Sequence, residues 1–135
     1  GEKFELPSNV FLIGTMNTAD RSVALVDYAL RRRFAFLKLR PDYELLSRYH
    51  GSTSFDPAGL VAVLNRLNAA IGEDAYLLGH SYFMRQDLSS ELAEIWISEI
   101  EPYIEEYFFD RPEIVEGFRW ASVGSEIGLG SATSS

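Results

Sequence analysis

The sequence predicts an α/β arrangement: two parallel-type strands joined by a helix, followed by an α-helical domain. Three observations carry this. The run Val10-Phe11-Leu12-Ile13-Gly14-Thr15-Met16 is apolar almost throughout, as a strand covered on both faces is. A helical pattern follows from Ser22 to Arg33, and a second strand-like run follows from Phe34 to Leu39. Strand, helix, strand in that order marks a parallel pair, because parallel strands need a crossover between them. Beyond Pro41 the apolar residues recur at helical spacing instead.

Each element has a local reason. Pro7-Ser8-Asn9 precede the first strand and Asn17-Thr18 close it. In the helix, Val23, Val26, Ala29 and Leu30 share one face. Arg31, Arg32 and Arg33 end it, where the helix dipole favours cations. Phe34, Phe36, Leu37 and Leu39 mark the second strand, and Pro41 stops it. Tyr43 to Tyr49 reads as a short helix and Gly51 to Phe55 as a loop. Asp56-Pro57 is a strong helix start, with a capping oxygen and then a residue suited to the first turn. Leu60, Val61, Leu64, Leu67 and Ile71 recur at helical spacing until Gly72 ends the run.

Ala75 to Met84 fits a strand, a turn or a helix entry equally well. Ser89 or Ser90 can cap a helix whose apolar face is Leu92, Ile95, Trp96 and Ile100. Pro102 then kinks that helix or starts a new one, Tyr103 to Phe108. Asp110-Arg111-Pro112 opens a last short helix reaching Trp120. From Ala121 the composition turns to five serines and three glycines, which predicts a disordered tail over 121–135. The expected organisation is therefore part of an α/β core over 1–40, a helical domain over 41–120 and the tail. A chain that opens on glycine and carries so little of a sheet reads as a piece of a larger polypeptide.

Composition narrows the function. An apolar fraction of 47% supports a core. No apolar run approaches the ~20 residues that span a bilayer, and no leader pattern opens the chain, so no membrane association is expected. The absence of cysteine excludes disulfides and thiol catalysis and points to a cytoplasmic location. Net charge −8 argues against a general nucleic-acid-binding surface. The charge is uneven, however. Residues 1–40 carry seven Lys/Arg against four Asp/Glu, for +3, and residues 41–135 carry five against sixteen, for −11. Two histidines, His50 and His80, lack ligand-spaced partners, so no metal site is expected of side chains alone. Tyr103, Tyr107, Phe108, Phe109 and Trp120 read as core, because acidic rather than basic residues interleave them.

The chemistry concentrates in Met16-Asn17-Thr18-Ala19-Asp20-Arg21 and, ten residues on, Arg31-Arg32-Arg33-Phe34. An amide at the carboxyl tip of a buried strand can orient a water, and an arginine can stabilise a transferring phosphoryl group. No G-x-x-x-x-G-K-[ST] phosphate loop occurs in the sequence.

The strings Ile13-Gly14-Thr15-Met16-Asn17-Thr18-Ala19-Asp20-Arg21-Ser22 and Val26-Asp27-Tyr28-Ala29-Leu30-Arg31-Arg32-Arg33-Phe34 closely resemble the McrB family, AAA+ GTPase subunits of 5-methylcytosine-specific restriction systems. The resemblance continues through Leu78-Gly79-His80-Ser81-Tyr82-Phe83 and Glu105-Glu106-Tyr107-Phe108-Phe109-Asp110. It implies a partial AAA+ P-loop NTPase core followed by an α-helical lid. It places Asn17 at sensor 1, Asp20 and Arg21 in the same motif, and Arg31, Arg32 and Arg33 in the arginine-finger region, with Arg32 the first choice for the finger. His80 and Ser81 fall where related clades set a sensor 2 arginine; neither is arginine, and Arg85 is the substitute nearby. The implied cofactor is GTP or ATP with Mg²⁺, held through an upstream phosphate loop. The implied partners are neighbouring subunits of a homo-oligomeric ring, a nuclease subunit, and DNA reached through other regions. The fragment alone is expected to be inactive. In AAA+ folds the phosphate-loop strand lies between the two strands read here, so the vacant slot is expected to close by collapse, strand exchange or a partner segment. An ATP-dependent remodelling or chaperone ATPase, and a non-catalytic helical interaction module, are the alternative readings.

Overall fold

The computed structural model describes residues 1–17 and 28–128. The chain divides into two compact units, Gly1–Leu37 and Lys38–Ser135.

In the first unit the described residues form one helix, α1 (Tyr28–Arg33), with all three arginines in its last turn. The expected strands are absent. Neither Val10–Met16 nor Phe34–Leu39 forms a strand, and no strand occurs among the described residues. Phe11 is 88% exposed, Ile13 94% and Leu39 93%, where a two-sided buried strand would have them near zero. The α/β core of two parallel strands is therefore not what this chain forms. An apolar strand needs a neighbour for its backbone N–H and C=O groups and a layer over each face. No described residue supplies either. The anticipated closing of the sheet, by collapse or by strand exchange, is likewise not seen among the described residues.

The second unit is helical and holds the core. Helix α2 (Tyr43–His50) starts where the Asp42 carboxylate accepts the Glu44 N–H at 3.0 Å. Helix α3 (Ala58–Ile71) starts where Asp56 Oδ1 accepts the Ala58 N–H at 3.0 Å. It stops at Gly72, whose φ of 69° is the left-handed conformation a glycine adopts without strain. Leu60, Val63, Leu64, Leu67 and Ile71 are buried along α3, with Val63 in the place expected of Val61, which is only half-buried. The ambiguous stretch that follows becomes two 3₁₀ turns, Asp74–Tyr76 and Ser81–Phe83.

Helix α4 (Leu88–Ile95) begins after Asp87, so Ser89 and Ser90 lie in its first turn rather than capping it. It passes through a π turn, Trp96–Ile100, into α5 (Glu101–Tyr107). Pro102 thus neither breaks nor ends the rod. The Glu101 N–H bonds Trp96 O five residues back, and the widened turn spares the proline ring the carbonyl it would strike. Helix α6 (Pro112–Gly117) has its proline in the first turn.

Residues after Ala121 depart from the expected disorder as far as Gly128. Trp120–Ile127 form α7, with Val123, Gly124 and Ile127 buried. Glycine and serine composition suggested a tail, but Val123 and Ile127 four apart provide an apolar stripe, and α3 provides its seat. The seat is close: a Cβ at Gly59 would meet Glu126 O at 2.6 Å and Ile127 Cα at 3.0 Å. Arg66 closes the other end of the contact, its Nη1 and Nη2 at 2.5 and 3.1 Å from the Glu126 carboxylate.

Gly59→Ala tests that seat. Helix propensity alone favours alanine by roughly 0.5–1 kcal/mol, whereas forcing backbone apart costs roughly 1–3 kcal/mol. The expected outcome is a lower thermal midpoint for the chain. A raised midpoint would mean α7 does not rest on α3 at this glycine.

Candidate functional site

The residues singled out for phosphate chemistry fall into two groups. Arg31, Arg32 and Arg33 end α1 and are exposed. Their charge adds to a terminus whose carbonyls already favour cations. Asn17 is described as exposed and lies on no strand. Asp20 and Arg21 lie outside the described residues.

The candidates farther along the chain are engaged within the helical unit. His80 Nδ1 accepts the Asp42 N–H at 3.2 Å, which fixes the start of α2. Ser81 is exposed at the head of its 3₁₀ turn, and its carbonyl accepts the Met84 N–H. Arg85 is paired with Glu91 at 3.3 Å. The other histidine, His50, is held at both ring nitrogens. That ring is 2% exposed, with Nε2 at 2.8 Å from Phe83 O and Nδ1 at 2.8 Å from Thr53 Oγ1.

Among the described residues no group of three metal-ligating side chains converges. A cleft beside Phe109 and Arg119 has a volume near 160 Å³, against roughly 300–1,000 Å³ for a typical ligand pocket, and no candidate residue lines it.

The structure does assemble a polar network at the lid entry that no spacing in the sequence announces. Lys38 Nζ and Arg40 Nη2 both reach Asp74 Oδ2, at 2.7 and 2.8 Å. The hydrogen bond from Lys38, with the nearby Arg40 charge, holds the Asp74 carboxyl below its ordinary range. Next along the chain, the Tyr43 hydroxyl donates to Leu78 O at 2.7 Å and accepts from Asn68 Nδ2 at 2.6 Å. Asn68 Oδ1 accepts the Leu78 N–H at 2.8 Å. Burial pushes the Tyr43 phenol up to about 12, opposed in part by the Asn68 hydrogen bond. Farther off, Arg119 holds three carboxylates: Glu116 at 2.7 Å, Glu105 at 2.8 Å and Glu101 at 3.2 Å. The Glu116 and Glu105 hydrogen bonds raise its already high pKa. Glu101 also accepts the Trp120 N–H at 2.7 Å, so this cluster pins the start of α7.

Residues 59–116 match the family model described as McrB, alpha-helical lid domain. The chain is 42% identical to the Type IV methyl-directed restriction enzyme EcoKMcrB subunit of Escherichia coli (strain K12), over 82% of this chain and 28% of that protein. The chain thus spans a little over a quarter of the relative's length. No solved structure matches it. Among the described residues no helix is long and apolar enough to cross a membrane.

The raised Tyr43 pKa sets an alkaline limit on the lid. A tyrosine in the unfolded chain titrates near ~10, so Tyr43's contribution is whole below that and is lost as pH rises toward about 12. Titration of phenolate absorbance in the chain should show a late fraction that Tyr43→Phe diminishes. Asn68→Ala, which strands the Leu78 N–H, should cost about 1–3 kcal/mol in urea unfolding. A neutral result would mean water takes the amide's place.

Proposed function

This chain is of the McrB type and carries that family's alpha-helical lid domain over residues 59–116, and on that premise we propose that it is the arginine- and lid-bearing part of a GTP-hydrolysing subunit of a DNA restriction complex. The observation that carries the reading is the coincidence, in one chain, of the matched lid with three exposed arginines and the Asn17 string outside the lid. The complete subunit hydrolyses GTP with Mg²⁺, works in a ring of like subunits, and couples turnover to a nuclease subunit that cuts DNA containing modified cytosine. One of Arg31, Arg32 and Arg33 reaches a neighbouring subunit's nucleotide, where a planar, permanently charged fork suits developing phosphate charge. The Asn17 amide acts as sensor 1. The phosphate loop and the acidic Mg²⁺ ligands come from elsewhere in the complete subunit, so this chain alone is inactive.

Turnover of GTP against ATP by the complete parent protein tests this, with Arg32→Ala and Asn17→Ala beside it. Preference for GTP, with kcat falling by about 10³–10⁵ in the arginine variant, is expected of a trans finger. Preference for ATP would favour a remodelling ATPase. Unimpaired turnover in both variants would remove these residues from the chemistry. No turnover with either nucleotide would favour a non-catalytic interaction module.

A further inference from the structure

The string Glu105-Glu106-Tyr107-Phe108-Phe109-Asp110 carries one large side chain that the fold leaves unused. Phe108 is 1% exposed and belongs to the core. The Tyr107 hydroxyl is bonded to Ile71 O and to the Glu73 carboxylate, and Glu105 is bonded to Arg119. Phe109 is 82% exposed, the most open large apolar side chain between Tyr43 and Ile127. A single exposed phenylalanine is ordinary on a protein surface. This one stands at a cleft, and the cleft has a definite chemistry.

The cleft is formed by α5, α6 and the turn between them, with Arg119 beside it, all within the helical unit. Its apolar part is Phe108, Phe109, Pro112 and Val115, and Glu105 and Glu116 bring carboxylates to it. Its volume near 160 Å³ compares with the ~150 Å³ of an apolar cavity that holds one benzene ring. The space therefore suits one side chain and not a nucleotide. Charge selects the rest of the occupant. Residues 101–119 carry six Asp/Glu against two Lys/Arg, for −4. One of those two cations, Arg119, is already shared among Glu101, Glu105 and Glu116. Glu106, Asp110 and Glu113, next in sequence to the lining residues, are exposed. Such a surface repels a nucleic-acid backbone and attracts a chain bearing lysine or arginine. An aromatic, ring-sized hollow with a charged rim is how protein interfaces anchor a single side chain.

We propose that the Phe109 cleft docks a partner protein through a basic segment. One apolar or aromatic side chain of that segment enters beside Phe109, and flanking lysines or arginines face the acidic rim. Docking of this kind requires neither the first unit nor the nucleotide chemistry proposed above.

The probe is a fluorescein-labelled peptide with one phenylalanine between two pairs of lysines, titrated into the complete parent protein and followed by anisotropy. Binding is expected to weaken at least about tenfold in Phe109→Ser and little in Phe109→Leu. Alanine for the peptide's phenylalanine should cost a similar factor, and aspartates for its lysines should abolish binding. Glu106→Gln with Glu113→Gln should weaken binding and flatten its salt dependence while leaving the Arg119 cluster intact. Amide shifts in the isotope-labelled chain, at millimolar peptide, should centre on residues 105–119. An unchanged thermal midpoint in Phe109→Ser, expected for so exposed a side chain, separates lost docking from a damaged lid. Failure of the lysine peptide to bind overturns the docking site, as does binding indifferent to Phe109→Ser. Equal binding of the aspartate peptide overturns the basic partner. Binding to the 135-residue chain but not to the complete parent would mean that another part of the parent fills the cleft, which overturns the partner protein.

Discussion

The lid is organised around the carboxamide of Asn68. It stands on α3, the helix with the longest buried face, and it fills three hydrogen-bonding needs at once. Its oxygen takes the Leu78 N–H, and its nitrogen reaches both Leu78 O and the Tyr43 hydroxyl. Leu78 is 3% exposed, so its backbone polar groups have little water to turn to. An irregular segment can cross the face of a core only if some side chain satisfies its amides, and here one residue does so. The start of α2, the last turn of α3 and the turn between two 3₁₀ segments are fixed together as a result. The entry of the chain into the lid and the position of His80 follow from that arrangement.

The remainder of the lid is closed by similar local solutions. Pro102 sits in a long helical rod because a π turn precedes it, and Trp96 at the start of that turn is fully buried. Its indole N–H donates to Phe118 O at 2.8 Å, which links the rod to the chain after α6. Arg119 then binds carboxylates from α5 and α6 and leads directly into α7. These pairs are partly exposed, and their effect is chiefly to fix direction where the chain turns back toward α3.

The two units differ in what they offer. The helical unit holds the buried apolar core and carries most of the acidic residues. The described part of the first unit buries none and ends α1 in three cations. Phe11 and Ile13 are exposed in a chain that spans a little over a quarter of the length of its Escherichia coli relative. The functional reading accordingly depends on the arginines, the Asn17 string and the matched lid, and not on a cavity in the chain.

Much of the lid was legible in the sequence. Asp56-Pro57 and Gly72 bracket α3, and Asp110-Arg111-Pro112 announces α6, because caps, prolines and left-handed glycines act within a few residues of themselves. The family strings were equally readable, since a motif is a matter of residue order. What the tertiary structure decided were the outcomes that need distant groups. Val10–Met16 has a strand's composition, but a strand exists only beside another, and none is present among the described residues. Val123 and Ile127 became a helix's buried stripe because α3 leaves room over Gly59 for backbone and nothing more. His80 became a clamp on Asp42, and Asp74 a shared partner for Lys38 and Arg40, through contacts across 34 to 38 residues of chain. Local hydrogen bonds and steric limits are written in neighbouring residues; pairing across the fold is set only once the helices have packed and brought those groups within reach.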